Sequence, residues 1–185
     1  IPFTITGLML IIVGFFGFLG GCIIYMPGEQ WINIYGQPAT LSAFAFNTLM
    51  GMAGGIIGAW VKTRDPFWMM SGALIGIFAA ASGLDVYYPP VAFVLGSFGG
   101  FVVPMVAVQL EKMGIDDAVG AFPVHGVGGL IGVVSCGIFA SGYPNVDGMP
   151  PVSLWGQIVG AATMAVLGFV PGYVVSYILK VFGLL

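Results

Sequence analysis

From Phe3 to Tyr25 the chain runs without a single charged side chain, and stretches of the same kind recur along its 185 residues. About 20 apolar residues in a helix cross the hydrocarbon core of a bilayer. In lipid only helices and closed barrels satisfy their own backbone groups, and barrel strands alternate in short segments, whereas these runs are continuous. The composition agrees, with 59% hydrophobic and 6% charged residues, which points to an all-α polytopic membrane protein with the lipid bilayer as its solvent.

Six spans are expected, from Phe3 to Tyr25, Thr40 to Val61, Phe67 to Gly83, Pro89 to Leu110, Phe122 to Ala140 and Val152 to Phe182. The breaks carry turn and interface residues: "MPGEQWINIYGQP", "KTRDP", "LDVYYPP", "EKMGIDD" and "SGYPNVDGMPP". None is long enough for a second domain, so residues 1–185 read as a single transmembrane domain. The first residue is Ile1 and no signal peptide is recognisable, so the chain reads as a segment of a longer protein. Cys22 and Cys136 lie within apolar runs and are expected as buried thiols rather than a disulfide pair.

The four basic residues supply an orientation. Lys62 and Arg64 follow the second span, Lys112 follows the fourth and Lys180 lies near the end of the sixth, which places them all on one face. The positive-inside rule makes that face cytoplasmic, with both ends of the segment inside. The loops around Trp31 and Tyr35, Tyr87 and Tyr88, and Tyr143 then face out, where their aromatics suit an interfacial belt. Each expected helix also holds two glycines four residues apart: Gly17 and Gly21, Gly51 and Gly55, Gly72 and Gly76, Gly96 and Gly100, Gly128 and Gly132, Gly168 and Gly172. Such pairs allow backbones to approach closely in lipid, so a compact bundle is expected. Pro104, Pro123 and Pro171 interrupt helices and would free carbonyls or bend the axis.

His125 is the lone histidine. On a helix it shares a face with Phe122, Gly128, Gly129 and Gly132, so the imidazole is expected to point into the bundle. An ionisable group at membrane depth is costly, which favours a functional role over a structural tie between helices, although either fits the residues. Burial favours the neutral ring, with one donor and one acceptor nitrogen that suit a small polar solute. No metal site or cofactor is expected, because no HExxH, CxxC or paired carboxylates accompany the ring. No nucleophile with a base at a recognisable spacing appears, so an enzyme is not expected, nor is a nucleic-acid partner. The methionines are nowhere four apart on a helix, which argues against copper transport.

On the first helix Phe15, Phe18 and Cys22 share one face in the outer half. A phenyl stack there could close a narrow path to hydrated ions, or serve simply as aromatic packing. Asn47 reads as an interhelix hydrogen bond rather than a site. Asp116 and Asp117 precede a helix start and complement its dipole, and Asp85 belongs to an outer loop.

"GIDDAVGAFPVHGVGGLIG", with "GFFGF" on the first helix, "FNTLMGMAGG" on the second and "SGALIG" on the third, resembles the second half of the ammonium transporters, the Amt/Mep/Rh family. The resemblance runs in order along essentially the whole chain. It implies a fold of eleven helices built as two inverted five-helix repeats plus a final long helix, assembled as a homotrimer with one pore per subunit. The six spans would be the second repeat and the final helix, and the missing first half would be a partner. His125 matches the second of two neighbouring pore histidines, and Phe18 matches one ring of a stacked phenylalanine gate. Phe122 would line the same pore. Phe15 stands where tryptophan is common and Cys22 where a serine usually helps to recruit ammonium, and the two would form the outer recruitment site. Further departures are Gly120, where an acidic residue often stands, and "AASGLDVYY", where a threonine-proline motif is common.

Counted from the helix start, His125 falls within a turn of the cytoplasmic edge, whereas the resemblance implies mid-membrane depth. Pro123 and the uncharged "AVGAF" would let that stretch lie inside protein at membrane depth. The resemblance implies transport of ammonium or ammonia across a plasma (inner) membrane through a narrow hydrophobic pore. Two alternatives stay open: an ammonium sensor acting through a cytoplasmic regulatory or signalling partner, and a purely structural subunit of a membrane complex.

Overall fold

The computed structural model describes residues 2–22, 32–143 and 150–184. Its helices are α1 (Pro2–Gly21), α2 (Leu41–Thr63), α3 (Pro66–Ala80) continued by a 3₁₀ turn (Ala81–Gly83), α4 (Pro89–Lys112), a π-helical turn (Phe122–Val127) leading into α5 (Gly128–Phe139), and α6 (Leu154–Val181). Six of these segments, taking α3 with its 3₁₀ turn and α5 with its π turn, are long and apolar enough to cross a membrane. The protein is an all-α integral membrane protein, with spans that match the expected ones closely. The expected continuation of the first span to Tyr25 lies outside the described residues, as does Trp31.

Local chemistry sets the ends. The Thr40 hydroxyl accepts from the Ala43 N–H at 3.1 Å and opens α2. Arg64 closes it in the left-handed region at φ 57°, with its N–H bonded to the Trp60 carbonyl. Asp65 follows at once, accepting from the Phe67 N–H at 2.9 Å, with Pro66 in the first turn of α3 where its missing N–H costs nothing. Ser153 caps α6 through the Gly156 N–H at 3.1 Å.

Small residues hold α2, α3 and α4 together. Gly51 and Gly55 on α2 face Gly76 and Gly72 on the antiparallel α3, while Gly96 and Gly100 on α4 press on the carbonyls of Gly51 and Gly55 from the other side. On the same α2–α4 crossing Gly54 and Gly58 meet backbone atoms of Phe93, Ser97 and Phe101 in ascending order, so these two helices run parallel. Dispersion between backbones at this separation replaces the hydrophobic drive that lipid removes. Alternation of direction also puts Lys62, Arg64 and Lys112 at one end of the bundle, and Lys180 stands in the last turn of α6.

Two of the six glycine pairs depart from expectation. Gly17 and Gly21 on α1, and Gly168 and Gly172 on α6, meet nothing within 4 Å. α6 has no buried residue, and α1 buries only Gly20. The spacing marks a face suited to close approach, but does not say that the partner lies in the same chain. Cys22 is a second correction: it is exposed, not buried, at the open end of α1, whereas Cys136 is buried with its thiol donating to the Ser82 carbonyl at 3.0 Å. Both are free.

Tyr87 is a third. Instead of joining a belt it is fully buried, its ring lying against Gly83, where no Cβ would fit. Burial, then the neighbouring Cys136 thiol and Asp85, push its hydroxyl well above the usual phenol range. Tyr35 and Tyr88 do stand together at this end, as an edge-to-face pair with centroids 5.3 Å apart. Asn47 ties helices as its residue type suggests: buried on α2, its amide donates to the Leu84 carbonyl at 2.8 Å and the Tyr87 carbonyl at 2.9 Å.

Candidate functional site

The histidine is delivered by an irregular turn. Gly120 takes φ 66°, and Asp117 then receives the Ala121 and Phe122 N–H groups on its two carboxylate oxygens, each at 2.8 Å. Pro123 brings no N–H, so the ladder opens into a π turn from Phe122 to Val127 before regular helix resumes at Gly128. Asp117 therefore satisfies donors at the helix start, a more specific role than a general dipole effect.

The π turn changes which side chains share a face. The Phe122 ring lies beside Gly126 and is 59% exposed, and it does not border the cavity that His125 borders. Gly128 and Gly132 do pack on α3, where a Cβ on Gly132 would meet the Phe78 carbonyl, but Gly129 meets nothing. The His125 imidazole lies over the Phe78 ring with centroids 4.5 Å apart and planes at 59°. Phe78 is twelve residues beyond Pro66, about 18 Å along α3 at the usual helical rise. Measured against α3, the ring therefore sits well inside the span, but His125 is exposed on the open side of the groove rather than buried in the bundle as expected, because the π turn buries Pro123 and Val124 instead.

Cavities follow α1. One of about 230 Å³ lies between α1, α3 and the π turn, bordered by Thr4, Gly7, Ile11, Ser71, Leu74 and His125. It shares Ile11 with a second of about 200 Å³, formed by Ile11, Gly14, Phe15 and Phe18. At the other end it shares Phe67 with a third of about 250 Å³, where Asp65, Glu111 and Asp117 stand near Trp68. The spacing of Thr4, Gly7, Ile11, Gly14 and Phe18 puts them on one helix face. Glycine at two of these positions leaves a groove rather than a wall.

Rings continue upward from the histidine. Phe78 meets Phe15 edge-to-face at 5.2 Å, and Phe15 meets Phe18 in the same way at 5.9 Å. The structure thus gathers His125, Phe15 and Phe18 along one line and adds Phe78, which the residue pattern did not single out. Phe18 is 67% exposed, and Cys22 follows one turn later with its thiol on the Phe18 carbonyl at 3.5 Å. Among the described residues no group of three or more histidine, cysteine or acidic side chains is placed to hold a metal.

An apolar groove with one imidazole and a ladder of phenyl rings, built on six membrane-spanning helices, is the setting in which the comparison with known proteins is decisive. The model of the ammonium transporter family matches residues 1–185. The chain belongs to the ammonium transporter family. Its relatives include ammonium transporter Amt1 of Methanocaldococcus jannaschii, 33% identical over 178 residues that cover 95% of this chain and 42% of that protein. Ammonium transporter Amt2 of the same organism is 34% identical over 182 residues, 98% of this chain and 40% of the relative. The ammonium transporter of Bacillus subtilis is 31% identical over 189 residues, 97% and 45% respectively. This ammonium-transporter chain thus spans well under half the length of these relatives.

Proposed function

We propose that this chain is the second half of a transporter that passes ammonium or ammonia along the α1 groove. The observation that carries this reading is His125 at the head of an apolar cavity whose far end leads to Phe15 and Phe18, in a member of this family. In this reading the helices form the second inverted repeat and the final helix. The missing first half covers the open faces of α1 and α6, where the unpacked glycine pairs lie. The complete protein is a homotrimer in the plasma membrane, with the end that carries Lys62, Arg64, Lys112 and Lys180 in the cytoplasm.

The chemistry follows from hydration. An ammonium ion and a potassium ion both lose water on entering a narrow apolar path, and that loss is the main barrier. Phe18, with Phe15 behind it, excludes bulk water at the outer end, and Cys22 meets the solute first. Deeper in, the imidazole nitrogens of His125 can hydrogen-bond, so a solute with N–H groups recovers interactions that a spherical cation does not. Phe122, expected beside the histidine in the pore, turns away from this cavity and takes no part in the passage within this chain.

The test is flux. The complete protein, reconstituted into vesicles, should carry ammonium down its gradient faster than potassium. Ammonium binding without flux would overturn the transporter reading in favour of a sensor that signals through a cytoplasmic partner.

A further inference from the structure

The imidazole of His125 packs against the ring of Phe78, with centroids 4.5 Å apart. Phe78 is itself held. Its carbonyl lies under Gly132, a Cβ on Gly128 would stand 3.5 Å from its own Cβ, and its ring meets Phe15 at 88°. Two glycines on α5 thus seat that helix on α3 at the level of this ring, so the separation between the phenyl group and the imidazole is set by backbone packing. Edge-to-face and tilted aromatic pairs at these centroid distances are favourable and orient both rings.

We propose that Phe78 is a positioning and specificity-determining residue: it borders neither cavity itself, but its ring fixes the His125 imidazole, which does, and joins it to the Phe15–Phe18 pair. The inference rests on the reading of the α1 groove as an ammonium path. An imidazole held in one orientation beside the cavity favours a bare nitrogen centre over a methylated one. Removing the ring frees the imidazole, and the cavity it borders loses its fixed width there.

The experiment uses the complete protein with Phe78→Leu and, as the ring-preserving control, Phe78→Tyr. Flux of ammonium and of methylammonium is measured in vesicles, and the imidazole resonances of His125 are recorded on the purified protein. Phe78→Leu should raise the methylammonium-to-ammonium ratio about tenfold, the usual discrimination carried by one methyl group in an apolar site. It should also remove the ring-current displacement of the imidazole protons, and Phe78→Tyr should preserve both readouts. Should Phe78→Leu fail to fold, Phe78→Met fills a similar volume and carries the same expectation. An unchanged ratio with unchanged imidazole resonances overturns the proposal. A wild-type protein that carries no ammonium overturns the transport reading instead, and the resonances then still decide whether Phe78 positions the ring.

Discussion

Replacing Gly72 with alanine probes the crossing on which the rest of the bundle is built. A Cβ there would stand 2.6 Å from the Gly55 carbonyl oxygen, 2.9 Å from its carbon and 3.1 Å from the Ala59 Cβ, where ordinary contact begins near 3.4 Å. α2 and α3 must therefore part by about 0.8 Å, a gap that forfeits a quarter to a half of the dispersion between the facing atoms. α2 is not free to yield, because Gly96 and Gly100 of α4 already press on it from the other side. Overpacking of this kind costs about 3 kcal/mol at the upper end of its range, and alanine returns about 1 kcal/mol in helix propensity. The net loss of about 2 kcal/mol lowers the melting temperature by about 4–8 °C in a chain of this size. Melting of the purified protein in detergent, followed by far-ultraviolet circular dichroism, measures it. The double variant Gly55→Ala with Gly72→Ala should lose less than the two single losses together, because one opening of the crossing accommodates both methyl groups. A Gly72→Ala protein that melts at or above the wild-type temperature would refute the packing argument.

Asn47→Leu should cost about 2–4 kcal/mol, since the carbonyls of Leu84 and Tyr87 each lose a donor in a buried site, and the same melting assay reads it. A membrane-impermeant thiol reagent added to intact cells should modify Cys22 and spare Cys136 until the protein is denatured. Modification of Cys22 from the cytoplasmic side alone would invert the proposed orientation.

The spans were legible because lipid leaves few ways to satisfy a backbone, and charges and prolines at Lys62, Asp65, Pro66, Pro89 and Lys112 punctuate them. The α2–α3–α4 contacts were legible in Gly51, Gly55, Gly72, Gly76, Gly96 and Gly100 for the same reason: only glycine permits that approach. Gly17 and Gly168 carry the same signal yet find no neighbour, because spacing describes a surface and not what covers it. Tyr87 misled through its loop position, since a tyrosine beside a polar loop reads as interfacial until Gly83 is seen to open a seat for its ring. The π turn was hidden from hydropathy, which registers Phe122 to Val127 only as apolar. Asp117, Gly120 and Pro123 were its visible parts, but their joint effect on the direction of His125 is three-dimensional. Phe78 was hidden for a plainer reason, being one phenylalanine among 15.

The most direct test of the account is the preference for ammonium over potassium in the complete protein with and without His125→Ala, measured as flux into vesicles at matched gradients. Loss of a hydrogen bond to a charged solute in an apolar passage should reduce that preference about tenfold or more. A variant that keeps both its ammonium flux and its preference over potassium would show that the imidazole does not face the path, and the account would fail at its centre.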